Sequence, residues 1–290
     1  MGTEVASDDR RRNGHASQEL TGEEAPDILR DPMSLFRLQG KSAVITGATG
    51  AFGSGLAKAL GALGVNLTLA AGSEDELKAI ASAIAAQGAE VHTSARRPDT
   101  LDSANSIVDA AVQAYGTVDL LVVASGHNDP AFIQDMSVEQ WEGVMDANVK
   151  GAWLMAKAFG THAISRGQKG KVLLMSSVRG RHGNYSGYTS YCTSKGAIDA
   201  LTRSLATEWG NYGINVNAIA PTVFRSKLTE WMFGDNELGR ATRERSLSRI
   251  PLQRLGEVRD LIGMAIYLLS PASDFCTGQV MYIDGGYTAG

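Results

Sequence analysis

The sequence predicts an α/β protein built on a doubly wound, seven-stranded parallel sheet with helices on both faces. Three observations predict it. Short runs rich in Val, Ile and Leu recur along the 290 residues, and stretches of helical periodicity separate them. The composition, 43% hydrophobic and 20% charged, is enough to bury a large core. Continuous apolar runs mark strands covered on both faces, and strands joined through helices run parallel by right-handed crossovers.

The strands are expected at Ser42–Thr46, Val65–Ala70, Glu90–Thr93, Asp119–Val123, Lys171–Met175, Ile214–Ile219 and Gln279–Ile283. Helices are expected between them, among others at Ser54–Leu63, Glu74–Ala86 and Ser103–Tyr115. Residues 1–33 are rich in Asp, Glu, Arg, Ser and Gly and too poor in apolar side chains to order themselves, so they read as a disordered tail. Arg10, Arg11 and Arg12 in that tail are either solvated or a small interaction patch. Met33 opens a segment that reads as the start of a domain, and residues 34–290 form that single domain, with a small helical lobe around 226–250.

A formal charge of −4 gives no general field for nucleic acid or an anionic membrane. Two cysteines, Cys192 and Cys276, have no metal-ligand spacing and fit a reducing compartment; no metal site is expected. No apolar run is long enough to span a bilayer, and the N-terminus has no secretory apolar region. The expectation is a cytoplasmic protein acting on a small molecule.

The first strand runs into Thr46-Gly47-Ala48-Thr49-Gly50-Ala51-Phe52-Gly53 and then a helix. Such a turn needs glycine for positive φ and for close approach of backbone to a pyrophosphate, and the helix N-terminus adds free N–H groups. The placement between first strand and first helix is that of a Rossmann dinucleotide site, with Gly47, Thr49, Gly50, Phe52 and Gly53 as its lining. Further on, Tyr191-Cys192-Thr193-Ser194-Lys195 is a YxxxK motif opening a long helix, preceded by a strand ending Met175-Ser176-Ser177 and by a helical segment holding Asn148. Residues four apart share a helix face, so Lys195 stands one turn from Tyr191; an ammonium there favours the phenolate and lowers the tyrosine pKa. Tyr191 is then the general acid or base, and a serine hydroxyl holds the substrate oxygen.

These motifs together resemble the short-chain dehydrogenase/reductase family over essentially all of residues 35–290, with likeness to gluconate dehydrogenase-like and ketoacyl reductase-like members. The resemblance implies a dehydrogenase or reductase that interconverts a secondary alcohol and a ketone using NAD or NADP. It implies a catalytic tetrad of Asn148, Ser177, Tyr191 and Lys195, in which Asn148 holds a water of a proton relay, and it gives Tyr191 and Lys195 a share in cofactor binding. Ser177 is chosen over Ser176 although it precedes the tyrosine by one residue more than usual, so the loop Arg179–Ser190 carries an extra residue. Val123-Ala124-Ser125-Gly126 stands where the family has its NAAG segment: Ala124 and Gly126 fit a backbone passing close to the cofactor, and the asparagine that braces the central sheet is missing. Pro221, Val223 and Ser226 stand where the family touches the nicotinamide carboxamide. The ending Asp284-Gly285-Gly286-Tyr287 resembles a C-terminus that packs in a homotetramer; a homotetramer or homodimer is expected.

The chain also departs from the pattern. Ala51 occupies the middle glycine position of the TGxxxGxG turn, and Leu69-Ala70-Ala71-Gly72-Ser73 has neither the acid of NAD-preferring members nor the usual arginine of NADP-preferring ones. Absence of the acid tilts the choice toward NADP, with Ser73 as a phosphate contact. Arg96 and Arg97 stand where members usually carry an Asp beside the adenine; either reaches a 2′-phosphate or both are solvated. Arg179, Arg181 and His182 favour an anionic substrate such as a sugar acid, if they line the pocket, while a polyol remains open. Trp231, Met232 and Phe233 either cover the site or pack the lobe. Two competing readings are a cofactor-binding regulatory protein without turnover and a sister activity such as epimerisation or dehydration; members with the latter carry a larger substrate domain.

Overall fold

The computed structural model describes residues 25–234 and 236–290. Chain contacts divide it into two units, residues 1–35 and 36–290. The predicted tail lies outside the described residues up to residue 24; in the rest of the first unit Ala25–Arg30 forms a short helix, α1.

The second unit is a seven-stranded sheet in the order β3-β2-β1-β4-β5-β6-β7, every neighbouring pair parallel. The strands are β1 Ser42–Thr46, β2 Asn66–Ala70, β3 Val91–Ser94, β4 Leu120–Val123, β5 Gly170–Met175, β6 Ile214–Pro221 and β7 Val280–Ile283. Each falls within two residues of its predicted bounds. The helices are α2 Ala51–Ala62, α3 Glu74–Ala85, α4 Leu101–Tyr115, α5 Val138–Met145, α6 Gly151–Ser165, α7 Thr189–Trp209, α8 Glu237–Leu247 and α9 Arg259–Leu269.

Strand side chains alternate between two cores. Val44, Leu121, Val172, Leu174 and Val216 face one, closed by Ile107 and Val108 of α4, Met155 and Phe159 of α6, and Ile198 and Leu205 of α7. Ile45, Leu67, Leu69, Val122, Leu173 and Ile219 face the other, closed by Leu56 and Leu60 of α2, Leu77 and Ile84 of α3, and Leu261 and Leu268 of α9. β1 and β5 are buried at every position, which is why their sequences show no polar alternation.

Helix starts follow from local chemistry. Ser73, Thr100 and Ser137 each cap a helix by accepting from the N–H three residues on, and Ser137 forms a full capping box with Gln140. Arg254 makes a bidentate pair with Asp260 at 2.6 and 2.9 Å, and Asp260 also accepts from Glu257 N, which ties down the start of α9. The Arg254 hydrogen bond, chiefly, holds the Asp260 carboxyl down to about 2.

Two features matter for function. Strand order reverses between β1 and β4, the switch point at whose carboxyl edge ligands settle in doubly wound sheets. The predicted lobe is a 3₁₀ segment, Lys227–Phe233, followed by α8; Met232 is buried, Phe233 packs against the Val178–Ile250–Tyr287 cluster, and Trp231 is exposed.

Phe159 is fully buried, its ring standing where a side chain on Gly170 would otherwise lie. We expect Phe159→Ala to cost about 3–5 kcal/mol, read from urea unfolding. A loss under about 1 kcal/mol would show that α6 is not fastened to the sheet through this ring.

Candidate active site at the carboxyl edge of the sheet

The turn after β1 is shaped by backbone contact. Gly47 has φ +64°, and a Cβ on it would overlap the backbone of Ala124 and Ser125 beyond β4. A Cβ on Gly53 would in turn overlap the backbone of Gly47. No other residue fits either position, so β1, the first turn of α2 and the end of β4 lie in direct main-chain contact. Gly50 is the N-cap of α2 (φ −72°) and Ala51 its first residue, so the departure from the usual glycine falls where helical backbone accepts alanine. Gly50 donates to Gly47 O at 2.9 Å, and Phe52 stands edge-on to Phe224 beyond β6. Thr46 Oγ1 and Ser125 Oγ lie 3.4 Å apart, so Ser125 gives the β1–β4 gap a hydroxyl bridge. A glycine-edged cradle at a helix N-terminus has the build to take a dinucleotide pyrophosphate.

Beside it, Asn148 sits on a single π turn, Asp146–Lys150, between α5 and α6, a local widening common at functional sites. It is buried and fully engaged. Oδ1 accepts from His127 N at 2.6 Å, and Nδ2 donates to His127 O and to Ser194 Oγ, each at 2.9 Å. Asn148 thereby joins the segment after β4 to α7. A Cβ on Gly126 would stand 3.5 Å from Asn148 Oδ1 and 3.7 Å from Lys195 Nζ, which places Gly126, Asn148 and Lys195 around one point.

Tyr191 and Lys195 lie one turn apart near the start of α7, and Lys195 Nζ is 5.5 Å from the Tyr191 ring centroid. Nζ donates to Met175 O at 2.8 Å. Burial brings the Lys195 ammonium down to about 8, opposed by the negative charge of Asp199. The phenol departs from expectation. Burial pushes Tyr191 above its ordinary value, and the Ser177 hydroxyl beside it pulls the other way. Lys195 lies over the ring face and points its ammonium at a carbonyl, so burial outweighs it and the expected lowering is not what this geometry produces.

The two serines after β5 divide between two partners. Ser177 Oγ approaches the Tyr191 phenol and Pro221 O (3.4 Å). Ser176 Oγ donates to Asp199 Oδ1 and contacts Lys195 O. Asp199, one turn beyond Lys195 and buried, was not singled out from the sequence; its spacing four residues after the lysine was the available signal.

The remaining expected residues distribute as follows. Ala124 N donates to Thr46 O (3.1 Å) at the end of β4. Val223 borders the Tyr287 cluster. Ser226 caps the Lys227–Phe233 segment through Thr229, and Ser73 caps α3. Thr49 lies within the glycine turn. The arginines rest on aromatic rings: Arg179 and Arg249 on Tyr287 at 5.6 and 4.3 Å, Arg181 on Tyr282 at 5.8 Å, and Arg225 on Phe233 at 4.6 Å. Among the described residues none of these four is paired with a carboxylate. Tyr287 is 5% exposed, and its hydroxyl is buried without a hydrogen-bond partner, as is His182 Nε2 against the same ring. Among the described residues no helix is long and apolar enough to cross a membrane, and no acidic, His or Cys cluster is fit to hold a metal.

Comparison with known proteins agrees with this geometry. A family model described as enoyl-(acyl carrier protein) reductase matches residues 47–288. An uncharacterized oxidoreductase of Mycobacterium tuberculosis is 52% identical over 257 residues, 89% of this chain and 94% of that protein. A short-chain type dehydrogenase/reductase from Mycobacterium marinum has a solved structure that matches with a TM-score of 0.83 at 31% identity, over 89% of this chain and 99% of that one. The same score is reached, at 29% identity and the same coverage, by a gluconate 5-dehydrogenase from Burkholderia cenocepacia solved with NADP and tartrate. The chain is thus a member of the short-chain dehydrogenase/reductase family of NAD(P)-dependent oxidoreductases.

Proposed function

We propose that the protein interconverts a secondary alcohol and a ketone on a small carboxylated polyol of the sugar-acid type, with Tyr191 as general acid and base. The observation that carries this is the convergence of Ser177, Tyr191, Lys195, Asn148 and Gly126 beside the glycine cradle. NAD(P) bound there supplies or accepts the hydride. The cradle of Gly47, Thr49, Gly50, Phe52 and Gly53 would hold its pyrophosphate, and Ala124, Gly126, Pro221, Val223 and Ser226 would complete its seat.

In reduction the Tyr191 phenol gives its proton to the carbonyl oxygen, and Ser177 Oγ donates to the same oxygen as charge develops on it. Lys195 keeps a positive charge beside the phenolate that is left, and Asn148 orders the route by which the proton is replaced. A phenol raised by burial is protonated at neutral pH, ready for this direction. Oxidation needs the phenolate first.

The sugar-acid assignment rests on the arginines. Arg179 stands two residues after Ser177, and with Arg249 it rests over the ring of Tyr287, whose buried hydroxyl has no hydrogen-bond partner. Guanidinium groups with no carboxylate partner, one of them steadied by the Gly183 carbonyl at 2.7 Å, suit a carboxylate. The gluconate 5-dehydrogenase whose structure holds NADP and tartrate supports the same class of substrate.

A panel of ketones tested with NADPH and NADH examines the reading. Keto sugar acids should exceed their neutral counterparts at least tenfold in kcat/KM, and Arg249→Ala should erase that ratio; equal turnover of both classes would remove the carboxylate from the proposal. Tyr191→Phe should lower kcat by about 10²–10⁴-fold while cofactor binding, read by nicotinamide fluorescence, stays intact. Binding with no turnover on any substrate would favour a regulatory protein instead.

The pH dependence follows from the raised phenol. Alcohol oxidation should climb with pH throughout the neutral range at a log slope near one, whereas carbonyl reduction should be flat there and fall only at alkaline pH. An oxidation rate that peaks below pH 7 would count against Tyr191 as the base.

A further inference from the structure

We propose that Arg97 is the residue that selects the cofactor: its guanidinium, reaching across from the end of β3, binds the 2′-phosphate of NADP over Gly72. The inference rests on the dinucleotide reading of the glycine cradle and specifies its ribose end.

In a doubly wound sheet the adenosine ribose falls at the carboxyl end of the second strand, where an acidic side chain accepts from the ribose hydroxyls or a nearby arginine takes a 2′-phosphate. In this chain that position reads Ala70-Ala71-Gly72, with no carboxylate and no cation of its own. The cation arrives from the neighbouring strand. β3 runs parallel to β2 with Ser94 opposite Ala70, and Ala71 N donates to Ser94 O at 3.4 Å. Arg96 N donates back to the same Ser94 carbonyl at 2.8 Å, so the chain turns sharply after β3 and returns toward Gly72.

The result is a close contact. A Cβ on Gly72 would stand 2.5 Å from Arg97 Nε and 3.3 Å from both Cζ and Nη2. The guanidinium therefore occupies the volume that any other residue at position 72 would fill. Arg97 is exposed and, among the described residues, makes no ion pair or hydrogen bond, so its donor fork is free. A planar guanidinium with free donors suits bidentate phosphate binding. Arg96 is different. It lines a hollow with Glu74, His92 and Ser106, while the three atoms nearest to a Cβ at Gly72 all belong to Arg97, so the geometry separates two residues that the sequence leaves equivalent.

Charge nearby sharpens the expectation. The first turn of α3 carries Glu74, Asp75 and Glu76, of which Glu74 is paired with Lys78 at 2.7 Å. Without Arg97 this end of the site is acidic. Removal of the arginine should therefore invert the preference rather than weaken both cofactors alike, since carboxylates repel a phosphate and accept from ribose hydroxyls.

The experiment is a fluorescence titration of the full-length protein with NADPH and NADH, run on wild type, Arg97→Ala, Arg97→Lys and Arg96→Ala. Wild type should bind NADPH at least tenfold more tightly than NADH. Arg97→Ala should lose tenfold or more for NADPH while NADH stays within about threefold, Arg97→Lys should recover part of the loss, and Arg96→Ala should behave as wild type. Equal or tighter binding of NADH by wild type would overturn the proposal and leave the dinucleotide site standing. So would an equal loss of both cofactors in Arg97→Ala, which marks a structural role, or a larger effect at Arg96. If wild type bound neither cofactor, the dinucleotide reading would fall along with the inference.

Discussion

Gly47 and Gly53 press the turn after β1 against two neighbours at once: the backbone at Ala124 and Ser125, and the first turn of α2. Side chains at either glycine would force these segments apart. The contact closes the switch point from one side, sets the height of the α2 N-terminus, and fixes where the segment after β4 can run. That segment supplies Gly126 and His127, and His127 in turn holds Asn148 by both of its main-chain groups. The position of Asn148 then bears on α7 through Ser194. One steric constraint on bare backbone is thus carried, contact by contact, from the cradle to the helix that presents Tyr191 and Lys195.

How far this was readable from sequence depended on the range of the interaction. Strands buried on both faces announce themselves, because every residue of Ser42–Thr46 has to be small or apolar or to satisfy itself within the sheet. The glycine turn and the four-residue spacing of Tyr191 and Lys195 are equally local, and each was visible. The π turn at Asn148 was not, since widening a helix by one residue costs little in local preference and is set by what the side chain must reach. Nor was the direction of the Tyr191 shift. The spacing placed an ammonium near a phenol, but only tertiary packing decides whether burial or the ammonium prevails, and here Lys195 turns to the Met175 carbonyl. Arg97 over Gly72 is a third case: two residues 25 apart in sequence meet only because β3 pairs beside β2.

The adjacent serines illustrate how the same local chemistry is given two uses. In extended chain, successive side chains leave on opposite sides, so Ser176 and Ser177 cannot share a partner. Ser176 reaches Asp199, and Gly180 leaves room for that carboxylate, since a Cβ there would stand 2.5 Å from Asp199 Oδ2. Ser177 is left to Tyr191.

Asp199 also bears on the charge of the site. Lys195 is buried, which favours its neutral form, and a neutral amine would bring no positive charge to a phenolate. Two groups act against that loss: the Met175 carbonyl, which accepts from Nζ, and the Asp199 carboxylate, one turn further along the same helix. Burial raises Asp199 in turn, and its hydrogen bond with Ser176 counters the rise. The ammonium, the carboxylate and the serine hydroxyl therefore form a chain in which each member keeps the next in the state it needs. The chemistry proposed for Tyr191 depends on a residue that never approaches the phenol, and the dependence runs through charge at Lys195 rather than through contact.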